Sequence, residues 1–386
     1  MKPHKKFVAV GLTLTIMGLL AGCGTTYMTS PPNNSQVNDT ATSAKSAPAS
    51  GQSPWQPFTS IRMTGAKTGW GTGTGTVWYT MNGGVSWKNI TPVQLHKGSD
   101  FQPVLYSYNQ SRAWVVQTEK DSNSLFIFNT TNGGRTWTKN ALKTSNVTSV
   151  YMHFYDKNHG MLSLMQDGAM GSEGAVTYQT IDGGQTWHRS ATARPVKGST
   201  LPFSGIKSGV TFNNNSDGWL TGSLTHGSGT VYLFHTTDGG HTWTKQGISV
   251  PTNLMAAQVT SYPPQFSKAK EGVLPVKFHS SSTSFMLYHT SDGGETWTST
   301  HAVDFPRGSM VPAWSIISTN EEVVTDGTKL LITRSGGRRW KSISSNISFQ
   351  NIKELDFISL TTGWVLMNSG SLYHTTDGGH SWRRLG

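Results

Sequence analysis

One eight-residue phrase is written seven times along this 386-residue chain. It reads TMNGGVSW at 80–87, TTNGGRTW at 130–137, TIDGGQTW at 180–187 and TTDGGHTW at 236–243, then TSDGGETW at 290–297, TRSGGRRW at 333–340 and TTDGGHSW at 375–382. Successive starts lie 50, 50, 56, 54, 43 and 42 residues apart. A period of about 40–50 residues is what one four-stranded antiparallel sheet occupies, and such a sheet cannot bury its faces alone. The repeat therefore predicts an all-β, seven-bladed β-propeller of four-stranded antiparallel blades. The blades run roughly over 55–93, 101–143, 147–193, 205–250, 254–303, 310–346 and 350–386.

The letters of the box describe a strand turning into the next. Alternation in SLYHT (371–375) marks one strand and SWRR (381–384) opens another. Between them Asp377 accepts turn N–H groups, as Asx turns do, and the glycine pair supplies backbone angles that other residues avoid. The indole that ends each box packs on neighbouring strands. Asp182, Asp238, Asp292 and Asp377 hold the turn position in four boxes, Asn82 and Asn132 in two, and Ser335 in the sixth. Asparagine keeps the capping carbonyl, so the sixth box is the turn expected to be weakest. The box tryptophans Trp87, Trp137, Trp187, Trp243, Trp297, Trp340 and Trp382 are half of the 14 in the chain, which makes the slot architectural.

A second echo precedes several boxes: KTGW (67–70), SRAW (111–114), SDGW (216–219) and TTGW (361–364), with weaker NHGM (158–161) and KEGV (270–273). Each reads as the turn from a blade's first strand into its second. The box resembles the Asp-box, or bacterial neuraminidase repeat. Box and echo together resemble the repeats of the photosystem II assembly and stability factor family, which are seven-bladed propellers. That resemblance implies a non-catalytic scaffold that binds a protein partner, in the assembly or stabilisation of a membrane complex, through an arginine patch on its surface. The alternative is a secreted sialidase-like glycoside hydrolase or a carbohydrate-binding propeller.

The start of the chain carries its own signal. Lys2, Lys5 and Lys6 precede an apolar run, Phe7 to Leu20, too short to span a bilayer. It ends in LLAGC, which resembles a bacterial lipobox, and Cys23 is the only cysteine. Residues 1–22 are thus expected to be a lipoprotein signal peptide, with Cys23 the site of lipid attachment. Residues 23–54, rich in Ser, Thr, Asn, Pro and Ala, form a flexible tether. The expected location is extracytoplasmic, anchored to the cell membrane. The formal charge of +11 is dispersed, which disfavours nucleic acid as a partner.

Chemistry is harder to place. The long, dissimilar connections at 165–175, 191–207, 246–258 and 298–314 fall on the face opposite the boxes, where variable loops on a rigid scaffold carry binding. Asp167, Glu173, Arg194, Lys197 and Arg307 on these loops are candidate partner-binding residues, with Arg338, Arg339, Arg383 and Arg384 as the candidate arginine patch. Glycoside hydrolysis needs two facing carboxyls, one with a raised pKa, and nothing in the sequence brings Asp167, Glu173 and Asp304 together. The arginine stretch of sialidases has only a poor counterpart in SIRM (60–63). His235, His289 and His374 recur before the boxes, and His241 and His380 within them. Equivalent positions lie far apart around a ring, so no metal site and no cofactor are expected. The bases after the boxes, Lys88, Lys139, Arg189, Lys245 and Lys341, sit on outer edge strands, where positive charge blocks edge-to-edge pairing.

Overall fold

The computed structural model describes residues 58–95, 103–118, 124–144, 146–193, 200–305 and 313–385. The expected signal peptide and tether, with Cys23, lie outside the described residues, as do Arg194, Lys197 and Arg307.

Each box is a hydrogen-bond circuit organised by its leading threonine. The Thr hydroxyl oxygen accepts the N–H of the second glycine at 2.8–3.1 Å in all seven boxes. In the six boxes with Asp or Asn it donates to the Oδ1 two residues on, at 2.6–3.0 Å. That Oδ1 in turn accepts the N–H of the Ser or Thr before the tryptophan, at 2.9–3.0 Å. In the Asp boxes the second carboxylate oxygen takes the hydroxyl of the same Ser or Thr. The Asn boxes reverse this last link, with Asn82 and Asn132 donating from Nδ2 to Ser86 and Thr136 at 2.8 and 2.7 Å. Ser335 offers a single oxygen, which accepts the Arg339 N–H at 3.1 Å and lies 3.4 Å from the Thr333 hydroxyl. The sixth turn is therefore built with fewer bonds.

Among the described residues, six antiparallel sheets follow from these turns, five of them four-stranded and one ten-stranded. The chain is all-β, with a single short 3-10 turn at Thr252–Leu254 among the described residues. The ten-stranded sheet contains two boxes, those of Asp238 and Asp292, so it is two repeat units joined edge to edge. The join comes from the strand Gly218–Ser228, which pairs with Tyr232–Thr236 up to Gly222. Beyond that point it pairs with Gln258–Ser261 of the following unit, Ser223 opposite Thr260 and Ser228 opposite Gln258. In that fifth unit the inner strand is interrupted between Gln258–Ser261 and Gln265–Phe266 by Pro263 and Pro264, because proline cannot donate to a ladder.

The units lock to one another at two radii. Near the rim, the echo tryptophans Trp70, Trp114, Trp219 and Trp364 have no exposed surface, whereas most box tryptophans remain half-buried. The deepest indoles are thus those of the second strands rather than those of the boxes. Trp114 donates its indole N–H to the carbonyl of Gly183 at 3.0 Å, and Trp364 donates to that of Gly83 at 2.8 Å. Each therefore reaches into the box of the next unit. Trp219 does so through Gln246, which donates to the Gly294 carbonyl. Side chains could not replace the second box glycines. A Cβ on Gly294 would lie 2.3 Å from Trp219, and one on Gly184 2.5 Å from Trp114, and both glycines also hold positive φ.

Toward the centre, side chains of one inner strand bond to the backbone of the next. Tyr106 donates to the Phe154 carbonyl at 3.2 Å, Ser208 to that of Ser261 at 2.6 Å and Ser315 to that of Phe357 at 3.3 Å. His153 places Nε2 3.1 Å from the Phe212 carbonyl, and burial, partly offset by that bond, pushes its pKa down to about 4. The first and last units meet the same way. Glu354 accepts the Ile61 N–H at 2.7 Å, Asp356 accepts that of Met63 at 2.6 Å, and Arg62 pairs with Asp356 at 3.1 Å. Each of these two units takes all four strands from its own stretch of chain, and no strand is exchanged across the join.

Two outcomes follow for the boxes. Replacing Thr375 with Val keeps the shape but leaves the buried Gly379 N–H without an acceptor, so stability should fall by about 1–3 kcal/mol. Ser381→Ala removes only an exposed hydroxyl and should cost less than about 1 kcal/mol by the midpoint of urea denaturation. The box carboxyls also set an acid limit. Asp377 is held down to about 2 by the hydroxyl and N–H of Ser381. Asp182 is held at about 2 because the donors of Thr186, Thr180 and Gln185 together outweigh its burial. A depressed folded pKa means stability that is complete above the ordinary carboxyl range near 4 and is lost as pH falls through 2. Tryptophan fluorescence against pH should show that loss between about 4 and 2, and Asp377→Asn should remove that residue's share of it.

Candidate binding surfaces

The end of the ring opposite the boxes is built up where the second strands are longest. Strands Gly160–Ala169 and Ser172–Thr180 form a hairpin whose ladder ends on the pair Ala169–Ser172. Its two loop residues, Met170 and Gly171, hold φ of 55° and 80°, the backbone of a type I′ turn. Methionine is a poor occupant of that conformation, and its side chain is 99% exposed. A Cβ on Gly171 would lie 2.2 Å from Thr225 of the fourth unit, and the Gly171 carbonyl accepts the N–H of Gly205 at 2.9 Å. Ser172 and Gly205 form an isolated parallel bridge.

Lys207 fastens this arrangement from beneath. It is 3% exposed, and its ammonium donates to the carbonyls of Glu173, Phe203, Gly205 and Ser204 at 2.6, 2.9, 3.0 and 3.3 Å. Its own N–H goes to Glu173 Oε2 at 2.7 Å. Burial pushes the Lys207 pKa down to about 8, opposed by the Glu173 carboxylate, so the ammonium stays charged at neutral pH. Glu173 is raised by burial, against the N–H and charge of Lys207. Tyr232 completes the brace by donating to the Ser204 carbonyl at 2.7 Å.

The structure places the candidate residues apart in role. Glu173 is committed to Lys207, and Asp167 stands exposed on a bulge of the hairpin. No hydrogen bond joins the two among the described residues. Asp304 accepts the Ser284 hydroxyl at 2.5 Å on another strand. Arg338, Arg339, Arg383 and Arg384 are all exposed, on the sixth box turn and the last strand, without ion-pair partners among the described residues. The box aspartates serve their own turns. The histidines are less exposed than surface strand positions would make them. His235 stacks on Trp219 and His374 on Trp364, with ring centroids 4.8 and 4.6 Å apart, and His289 packs beside Gly336. Burial lowers the pKa of all three. No group of three potential metal ligands forms among the described residues.

Sequence reasoning passed over Lys207 and the exposed apolar residues that surround it. Met170, Ile206 and Met255 are 99%, 45% and 53% exposed. They follow one arc. Gly171 abuts Thr225, Ile206 pairs with Ser223, and a Cβ on Gly229 would lie 2.3 Å from the Met255 carbonyl. The arc therefore runs from the third unit across the fourth to the start of the fifth. A lone methionine in a loop gives no signal in sequence; only the contacts between hairpins bring the three into one arc.

Comparison with solved structures places the fold among β-propellers. A structure of YCF48 bound to D1 peptide matches with a TM-score of 0.53 and 18% identity, over 84% of this chain and 93% of that one. YCF48 from Cyanidioschyzon merolae matches with a TM-score of 0.54 and 16% identity, over 83% of this chain and 96% of that one. The GH74 xyloglucanase from Xanthomonas campestris matches with a TM-score of 0.54 and 11% identity, over 85% of this chain but 54% of the enzyme. No family model matches the sequence, and no curated protein does either. Likeness at these identities is likeness of fold. It includes a peptide-bound propeller and a glycoside hydrolase alike.

The brace makes a local prediction. Lys207→Met leaves four carbonyls and the Glu173 carboxylate facing an apolar chain, which should cost about 3–5 kcal/mol if the rest does not relax. Amide hydrogen exchange should quicken at least tenfold over 165–175 and 200–207 before it changes in the last unit.

Proposed function

We propose that this protein is a non-catalytic scaffold whose partner protein docks across the third to fifth units, on the face opposite the boxes. The observation that carries this reading is the fastened arc of Met170, Ile206 and Met255. Three apolar side chains are held in solvent along one strand, Gly218–Ser228: Met170 on a hairpin turn fastened by the buried Lys207, Ile206 at the head of the strand paired with it, and Met255 after the short 3-10 turn. Monomeric proteins have little reason to hold apolar groups outward on so rigid a base, and methionine adapts well to a partner's contours. Asp167 at the edge of the arc supplies a polar rim, and Arg194 and Lys197 belong to the connection that leads to Ile206.

The fold suits the role, since a neighbouring propeller, YCF48, has been solved with a peptide bound. A role in assembling or stabilising a membrane complex fits the lipobox-like LLAGC and its lone cysteine. On this reading the chain is a lipoprotein with an Asp-box repeat, held outside the cytoplasm by acyl chains on Cys23 and lifted from the membrane by the tether. The hydrolase reading has less to rest on. Its best loop carboxylate, Glu173, is bound to Lys207 and is hydrogen-bonded to no second acid among the described residues.

Two substitutions test the docking face. Met170→Asp combined with Met255→Asp touches neither the ladder nor Lys207, so the variant should melt near the parent protein. Affinity capture from membranes should recover a stoichiometric partner with the parent and at least tenfold less with the variant. A photo-crosslinking residue in place of Met170 should label that same partner, whereas one in place of Ile181, on the box side, should not. Equal capture by parent and variant would move the partner to another surface.

A further inference from the structure

A groove on the rim between the first two units is assigned no role by the docking reading. The fourth strand of the first unit is only Lys88–Asn89, whereas that of the second is Thr138–Lys143. The chain leaves the first sheet early, through Ile90 to Gln94, and the second box stands across from it. Between the two walls lies a cavity of about 1230 Å³. That exceeds the usual range for a small-molecule pocket, about 300–1,000 Å³.

The floor is firm. Trp137 donates its indole N–H to the Ile90 carbonyl at 2.8 Å, and a Cβ on Gly134 would lie 2.4 Å from Ile90. The walls carry Lys88, Arg135 and Lys139, all exposed, and no carboxylate is among the lining residues. Lys139 is already oriented, its Nζ 3.6 Å from the centroid of the Phe126 ring. Met81 and Val93 also line the groove, at 72% and 102% exposure. Three cations and two outward aliphatic side chains therefore share one trough.

We propose that this trough binds an acidic, extended peptide segment in which carboxylates alternate with aliphatic side chains. The cations would meet the carboxylates, and Met81 and Val93 would be covered by the aliphatic positions. A polyphosphate or an acidic glycan would satisfy the charges but leave both aliphatic groups in water. Sugars also favour an open aromatic face, and here the rings are engaged. Tyr79 donates its hydroxyl to the Gln110 carbonyl and meets Trp70 edge-on, while Trp137 has its indole N–H bound beneath. The trough is bordered by the first two box turns and the docking arc lies over the third to fifth units, so both can be occupied at once.

The test uses the purified full-length protein and a fluorescein-labelled peptide of alternating Glu and Leu, followed by anisotropy. Binding should be at least tenfold tighter than to the same peptide with Gln for Glu or with Ser for Leu. It should weaken as salt rises, because the contacts at the rim are screened. Lys88→Glu with Arg135→Glu should weaken it at least tenfold, while the melting temperature confirms that these exposed changes leave the fold intact. Amide exchange should slow over 88–94 and 132–137 when the peptide is bound. No binding, equal binding of the Ser-substituted peptide or of inorganic polyphosphate, or unchanged affinity in the double variant would each overturn the proposal. Loss of the docking arc through Met170→Asp and Met255→Asp should leave this binding unaltered, which separates the two sites.

Discussion

The hydroxyl of the first threonine of the box is the interaction on which the ring depends. It is buried in every unit, from 1% exposed at Thr80 to 6% at Thr290. It orients the second glycine, whose N–H has no other acceptor. That glycine, lacking a side chain, lets a neighbouring side chain pack against it, the indoles of Trp114 and Trp219 at Gly184 and Gly294 and Ile90 at Gly134. A hydrogen bond of this kind adds about 1 kcal/mol net, but a buried N–H without one costs more. The same atom therefore fixes the turn within a unit and the spacing between units. Where the turn residue changes from Asp to Asn to Ser, the threonine bond persists, at 2.8, 2.9 and 3.1 Å in the boxes of Asp182, Asn82 and Ser335.

Much of this was legible in the letters. The small residue of each echo begins the second strand, at Gly69, Ala113, Gly218, Gly272 and Gly363 among others, and the residue after the box tryptophan leads into the fourth. These positions are set by turn chemistry, which is local and so visible in sequence. What sequence did not disclose depends on contacts between units. The joined sheet arises because one strand, Gly218–Ser228, outruns its own partner, and a ladder between Ser223 and Thr260 leaves no local trace. Lys207 sits in an unremarkable run, GIKSGV, and is buried only because four carbonyls converge on it. The partial burial of the histidines before the boxes arises in the same way, His235 and His374 being covered by the echo tryptophans Trp219 and Trp364, and His289 lying beside Gly336 of the next unit.

The sixth unit departs furthest from the pattern, and its departures are coupled. Where five of the other units begin the second strand with glycine, it has Glu322, and where four of the others have tryptophan it has Val323. In most units a Cβ at the glycine position would strike the Phe or Met that ends the first strand, as at Gly160 against Phe154 and Gly363 against Phe357. Here the opposing residue is Ile316, and the smaller side chain admits a longer neighbour. Glu322 is buried with neither carboxyl oxygen hydrogen-bonded, and burial, reinforced by Glu321, raises its pKa to about 8. At neutral pH it is therefore a neutral acid, and because an unfolded glutamate ionises near 4, its burial costs the fold more as pH rises from about 4 toward 8. With Ser335 giving a sparser turn and Arg338 and Arg339 exposed beside it, the least regular chemistry of the wheel is gathered in one unit.

The division of labour between the two ends of the ring follows from how polar groups are satisfied. At the box end, the Asp side chain of each Asp box is committed as an acceptor to its own turn, and its lowered pKa keeps it from donating a proton near neutrality. Such carboxylates cannot serve as general acids, however often they recur. At the opposite end the connections answer to no shared circuit, so their lengths drift and their side chains are free to be chosen by a partner. Yet freedom alone would give floppy loops. The third to fifth units join that freedom to rigidity, because a long strand crosses into its neighbour and a buried ammonium gathers four carbonyls under the hairpin. Variable chemistry on a fastened base is what recognition of another protein needs, since ordering costs that are met in folding need not be met again on binding.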